Sequence, residues 1–335
     1  FDGGSGLRLK ELSQAAPRAL AMALVGFCLA VGAIAAASMG AAAMGILPDS
    51  WTWAHGIVTG AILGGSSSVV IMPALAKAKL APKIASLVNL ESAFTDVLCV
   101  VVTVAAVRIV VSGSADAGEA AMTLGKSFGI GLGVGVAAGL LALLALWGLR
   151  RSEHAYPLIL GTLLLLYVLI DHLEGSAPLG ILAVAVLVGN APALSKVVGL
   201  DKRAKLSRGV EHAHDQITFM VKSFFFTFIG AMLGPPWALV GLGAVLGLVL
   251  LAARVPAVFG ATIGAGMSTP ERALVTASMP RGMAAGVLAM LPAAAGVPGT
   301  EQLPVVVFAA VFMTILLFAG GFPVFKRRLV PRRPA

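Results

Sequence analysis

Two acids stand inside a stretch of the chain that is otherwise almost wholly apolar. Glu91 and Asp96 interrupt the run LVNLESAFTDVLCVVVTVAAV. On insertion scales an acid at the centre of a bilayer costs roughly 3 kcal/mol, and ionisable groups kept there usually line an ion or proton path. A helix turns once in about 3.6 residues, so five residues rotate the side chain by about 140°. Glu91 therefore shares a stripe with Thr95, and Asp96 shares one with Ser92. The acids point different ways, which implies different work: one held in a permanent pair, the other open to exchange ligands. Arg254, about five turns into a later apolar run, supplies a dependable partner for one acid because a guanidinium stays protonated. The remaining carboxylate can hold a proton or a desolvated cation but hardly both at once. Mutual exclusion at one carboxylate is the physical basis of proton-coupled cation exchange.

The elements that must position these groups are helices with breaks in them. Gly64, Gly65, Ser66, Ser67 and Ser68 interrupt the apolar run just before the acids, and Pro73 removes a further backbone donor. Unwound backbone exposes carbonyl oxygens, hard ligands suited to Na⁺ or K⁺, and the serine hydroxyls add more. Such breaks are tolerated at membrane depth only where they are buried in protein or line a cavity. A matching break, Ala277-Ser278-Met279-Pro280-Arg281-Gly282, follows the Arg254 run. Two interrupted helices in corresponding places point to inverted repeats around a midplane site.

Composition agrees with a membrane setting. Hydrophobic residues make up 59% of the 335, charged residues 12%, and the mean hydropathy is +0.97, which excludes an ordinary soluble domain. The net charge of +9 does not indicate nucleic acid, since only two Tyr and four Trp accompany it. Cys28 and Cys99 lie in apolar runs and form no disulfide framework or zinc spacing. The expected fold is an all-α polytopic bundle of about ten spans, near 18–45, 53–76, 84–111, 121–148, 155–171, 177–191, 216–233, 237–259, 271–291 and 303–325. All Lys and Arg except Arg108, Lys126, Lys222, Arg254 and Arg281 then fall in loops on one side, while the opposite loops carry acids. The positive-inside rule places both chain ends in the cytoplasm. The segment 195–216, with His212 and His214, reads as a solvated linker. Gly129, Gly131, Gly133, Gly135 and Gly139 read as a helix-packing surface and not as a phosphate loop, because no strand precedes them.

Taken in order, GAILGGSSSVV, LESAFTD, FFFTFIGAML, the Arg254 helix and MPRGMAAGVLAML resemble the monovalent cation:proton antiporter superfamily, the sodium/proton and potassium/proton exchangers, over essentially the whole chain. The resemblance implies that Asp96 alternately binds proton and cation with Ser92 beside it, and that Glu91 pairs with Arg254. It places Ser66, Ser67 and Ser68 at the crossover of the broken helix and Asp2 where some members carry a further acid. FDGG then matches the end of a third helix, so about three N-terminal helices are expected to be missing. The core would comprise 18–111 and 237–325, with 121–148 a linker helix and 155–233 an interface domain against which the core moves. A homodimer of the complete protein in a bacterial-type inner (plasma) membrane is expected, with no enzymatic activity, no cofactor and no nucleic-acid partner. Thr95 departs from the pattern: the family usually has Asn there in its electroneutral branch and Asp in its electrogenic one. Thr carries no second proton, so one cation should exchange per proton. Two other classes compete: a sodium-coupled organic anion carrier of similar fold, which needs a richer polar cavity, and a gated cation channel or sensor.

Overall fold

A computed structural model describes residues 9–78, 82–113, 117–149, 155–191, 194 and 208–329. All the secondary structure among them is helical: α1 (Leu9–Ala43), α2 (Trp53–Leu63), α3 (Ser68–Ala78), α4 (Pro82–Ser112), α5 (Ala117–Leu149), α6 (Ala155–His172), α7 (Ala177–Gly189), α8 (Arg208–Met232), α9 (Trp237–Ala261), α10 (Thr269–Ala277), α11 (Met283–Leu288), α12 (Leu291–Ala294) and α13 (Leu303–Leu329). Helices satisfy their own peptide groups, which is what an apolar medium demands of a spanning segment. Five are long and apolar enough to cross a membrane: Ala15–Ala43, Lys83–Ser112, Gly125–Leu144, Trp237–Ala261 and Leu303–Lys326. The segments Trp53–Leu63, Leu158–His172, Leu179–Gly189 and Met283–Ala294 are shorter apolar helices. The protein is an integral, multi-pass membrane protein.

The chain forms two compact units, one of residues 14–116 and 228–335, the other of 1–13 and 117–227. In the larger unit α9 lies along α13, with Leu246, Leu250 and Phe308 fully buried and the Phe228 and Phe308 rings edge to face at 5.8 Å. The first broken helix enters this unit against α1. Gly56 and Gly60, four residues apart on α2, come so close to Ala35 and Val31 that a Cβ would lie within 3 Å of either backbone. The start of α2 is fastened by His55, whose Nδ1 accepts from the Thr52 N–H at 3.2 Å while its Nε2 meets the Pro298 carbonyl at 3.1 Å. α10 begins with a capping box: the Glu271 carboxylate accepts from the Ser268 N–H at 2.7 Å and the Ser268 hydroxyl accepts from the Glu271 N–H at 3.4 Å.

In the smaller unit the glycine stripe of α5 packs on α7. A Cβ on Gly131 would run into the Ser176 carbonyl, and one on Gly135 would sit 2.5 Å from the Gly180 Cα. Leu166, Ile170, Ala177, Val184 and Val188 form the adjoining core. Lys126 and Glu174 approach to 4.0 Å but are both largely exposed, so their attraction contributes little. α8 starts at Arg208, so the last part of the expected linker 195–216 is helical. The side chains of His212 and His214, and residues 195–207, lie outside the described residues.

Close backbone approach makes a sharp prediction. Gly135→Ala should cost about 1–3 kcal/mol by overpacking and lower the melting temperature in detergent. Gly133→Ala, where a Cβ meets nothing within 4 Å, should leave it unchanged.

Candidate functional site

The site is built where the two broken helices meet within the larger unit. α2 stops at Leu63 and α3 resumes at Ser68, so most peptide groups of 64–67 lose their helical partners. In an apolar interior each such group must be bonded elsewhere or cost several kcal/mol. Side chains of α4 take their place. Thr95 Oγ1 accepts from the Ser66 N–H at 3.2 Å and donates to the Ser92 carbonyl at 3.1 Å. Ser92 Oγ accepts from the Ser68 N–H at 2.6 Å and donates to the Ser66 carbonyl at 2.8 Å. Both hydroxyls thus act as substitute peptide groups for the unwound strand. A hydroxyl that donates once and accepts once still has one acceptor position.

The second break, 278–282, faces the first. The Ser67 N–H donates to the Pro280 carbonyl at 2.8 Å, and a Cβ on Gly282 would overlap the Ser67 side chain. Arg281 reaches back across the crossing: its Nη1 donates to the Gly64 carbonyl at 3.2 Å, and its own N–H donates to Thr314 Oγ1 of α13 at 3.0 Å. Its Nε is buried and has no hydrogen-bond partner among the described residues. Sequence reading placed Arg281 inside a span without giving it a role. The available signal was a lone base beside a proline at the centre of an apolar helix.

Glu91 and Arg254 tie the two breaks together. Arg254 Nη1 donates to Glu91 Oε1 at 3.1 Å and Nη2 to Oε2 at 2.9 Å, a bidentate pair in which both residues are at least 94% buried. Ser66 Oγ donates to the same carboxylate at 2.8 Å. On its other side Arg254 donates to the Ser278 carbonyl at 2.9 Å and to Val275 O at 3.4 Å, both at the end of α10. One ion pair therefore spans from the first break to the second.

Asp96 is different. It is half-buried on the same helix, next to Thr95, and no hydrogen bond or ion pair engages its carboxyl among the described residues. The hydroxyls of Ser67 and Ser68 likewise carry no hydrogen bond there, although both residues are buried. The structure thus joins Ser66, Ser92, Thr95, Glu91 and Arg254 in one network and leaves Asp96 outside it. Asp2 lies outside the described residues.

Among the described residues, two interrupted helices cross beside a buried Glu91 and a half-buried Asp96, the broken-helix arrangement found in ion-coupled transporters. The chain belongs to the transmembrane sodium/hydrogen exchanger family, whose pattern matches residues 1–326. It is 25% identical over 277 residues to the K(+)/H(+) antiporter NhaP2 of Shewanella sp. strain ANA-3, covering 79% of this chain and 46% of that protein. The match to the NhaP2 of Shewanella baltica strain OS223 is 24% over 276 residues, with 79% and 45% covered. The chain spans about half the length of these curated relatives. In fold it is similar to the sodium proton antiporter MjNhaP1 from Methanocaldococcus jannaschii at pH 8, with a TM-score of 0.77 at 20% identity over 98% of this chain and 82% of that one.

Removing one partner of a buried pair strands the other charge, a loss of about 3–5 kcal/mol. Arg254→Ala should lower the melting temperature markedly, since it also frees the Ser278 carbonyl. An unaltered melting curve would contradict the pairing. Gly282→Ala should disturb the crossing without removing any charge, and Gly282→Ala combined with Ser67→Gly should restore part of the lost stability.

Proposed function

We propose that this protein is a secondary transporter that exchanges a monovalent cation, Na⁺ or K⁺, for H⁺, one for one, with Asp96 as the exchanging carboxyl. The observation that carries this reading is the contrast between the two acids of α4: Glu91 is fully engaged by Arg254 and Ser66, and Asp96 has no hydrogen bond or ion pair among the described residues. A carboxylate left open beside unwound backbone takes up whichever of a proton or a dehydrated cation is available. The carbonyls of the first break and the Ser67 and Ser68 hydroxyls are the oxygen donors at hand, hard ligands of the kind alkali cations take. Ser92 and Thr95 shape the site through the backbone that they hold, each with one acceptor position to spare.

In this reading the unit of residues 14–116 and 228–335 performs the exchange, and that of 117–227 serves as its support. The one-sided distribution of Lys and Arg supports both chain ends lying in the cytoplasm, and the membrane of this reading is a bacterial plasma membrane. The complete protein works as a homodimer. It is not an enzyme and needs no cofactor, because the ion gradients themselves supply the driving force. Support from known proteins comes from the family match and from relatives named as K(+)/H(+) antiporters.

In proteoliposomes with an imposed proton gradient and a trapped pH dye, adding Na⁺ or K⁺ should dissipate the gradient. Asp96→Asn should abolish that response while leaving the melting temperature near wild type. Normal exchange by the Asn variant would refute the assignment. Na⁺-driven exchange should also run at the same rate with and without a valinomycin-clamped membrane potential, and voltage dependence would refute one-for-one stoichiometry.

A further inference from the structure

One cavity in the larger unit takes no part in this chemistry. It is an apolar groove of about 580 Å³ between α9, α10 and α13, within the roughly 300–1,000 Å³ common for small-ligand sites. It runs from Leu251 and Leu316 at one end to Phe259 and Phe325 at the other. The α13 side alone, the ten residues from Leu316 to Phe325, extends about 14 Å. Gly320 and Gly321 line the groove, and a Cβ added at Gly320 would meet nothing within 4 Å, so the bed is open where a chain could lie.

The Phe259 end carries charge. The Arg272 guanidinium stands 5.6 Å from the centroid of the Phe259 ring, and its Nη2 donates to the Thr262 carbonyl at 3.2 Å. Its Nε is buried and bonded to nothing among the described residues. Lys326 follows Phe325 directly and places a second cation at the same end of α13. The neighbouring acid, Glu271, is turned to the Ser268 N–H and hydroxyl at 2.7 and 2.9 Å and is engaged there. Arg272 adjoins the groove through the Phe259 ring and Lys326 lies one residue beyond Phe325, so an apolar bed with cations beside one end is the complement of an acyl chain joined to an anionic headgroup.

We propose that this groove binds an anionic phospholipid, its acyl chain along Gly320 and Gly321 and its phosphate at Arg272 and Lys326. Basic pockets between membrane helices hold anionic headgroups. A zwitterionic lipid offers the same phosphate, but its choline cation meets two positive side chains. The far end of the groove is lined by Met279, a residue of the second break, so a bound chain packs against the segment that Arg254 holds through the Ser278 carbonyl.

Native mass spectrometry of the delipidated protein, with phosphatidylglycerol or phosphatidylcholine of identical chains added, tests this directly and does not depend on transport. The wild type should retain more phosphatidylglycerol by about fivefold per cation. Arg272→Gln should bring retention down toward the phosphatidylcholine level, and Arg272→Lys should recover part of it. Gly320→Leu, filling the bed, should reduce retention of phosphatidylglycerol while its melting temperature reports whether the fold is kept. Equal retention of the two lipids by the wild type, undiminished phosphatidylglycerol binding by Arg272→Gln, or full displacement by excess inorganic phosphate would each overturn the proposal.

Discussion

The larger unit is governed by what happens to peptide groups when a helix is broken in an apolar medium. Each break leaves N–H and C=O groups that water cannot reach, and each has to find a partner in the protein. The first break finds four: the hydroxyls of Ser92 and Thr95, the Pro280 carbonyl and the Arg281 guanidinium. The second finds Arg254, Thr314 and the Ser67 N–H. Because each break supplies partners for the other, neither could be built alone. The crossing is a single polar cluster enclosed by apolar packing.

Glu91 and Arg254 belong to that cluster more than to any catalytic device. A buried ion pair need not stabilise a fold relative to a well-packed apolar pair, so its mere presence is weak evidence of worth. Here the pair does more than cancel charge. Glu91 accepts from Ser66 in one break while Arg254 donates to Ser278 and Val275 beside the other. An apolar replacement could fill the space but could not bond those groups. The charge is tolerated because it completes the hydrogen bonding of two unwound strands.

Much of this was legible in the sequence. The acids stood out because charge in an apolar run is costly, the breaks because glycine, serine and proline interrupted runs of the right length, and the different facing of Glu91 and Asp96 because five residues overshoot a full helical turn by about 140°. What could not be read was set by tertiary contact. The spacing of Ser92 and Thr95 showed which face they share but not that their hydroxyls bracket the unwound strand. Arg281 and Gly64 lie 217 residues apart, and nothing local in either break announces the other. The start of α8 at Arg208 was missed because hydropathy marks the apolar part of a helix, whereas its first turns are polar.

Thr95 shows why the proposed exchange can do without a second titrating group. What the crossing requires at this position is an acceptor for the Ser66 N–H, and a hydroxyl supplies it without adding charge. In the proposed exchange Asp96 is the one group that trades ligands. Protonated Asp96 is neutral, and Asp96 with a bound monovalent cation is neutral as well. The two loaded forms therefore present the same net charge to the membrane, so exchanging one for the other moves no charge across it. An Asp at this position could bond the same N–H, but it would add a second carboxylate beside Asp96 in a low-dielectric site, where two neighbouring anions do not readily ionise together. Such a site would admit a second proton into the cycle. With Thr95 the geometry of the strand is kept and that option is removed.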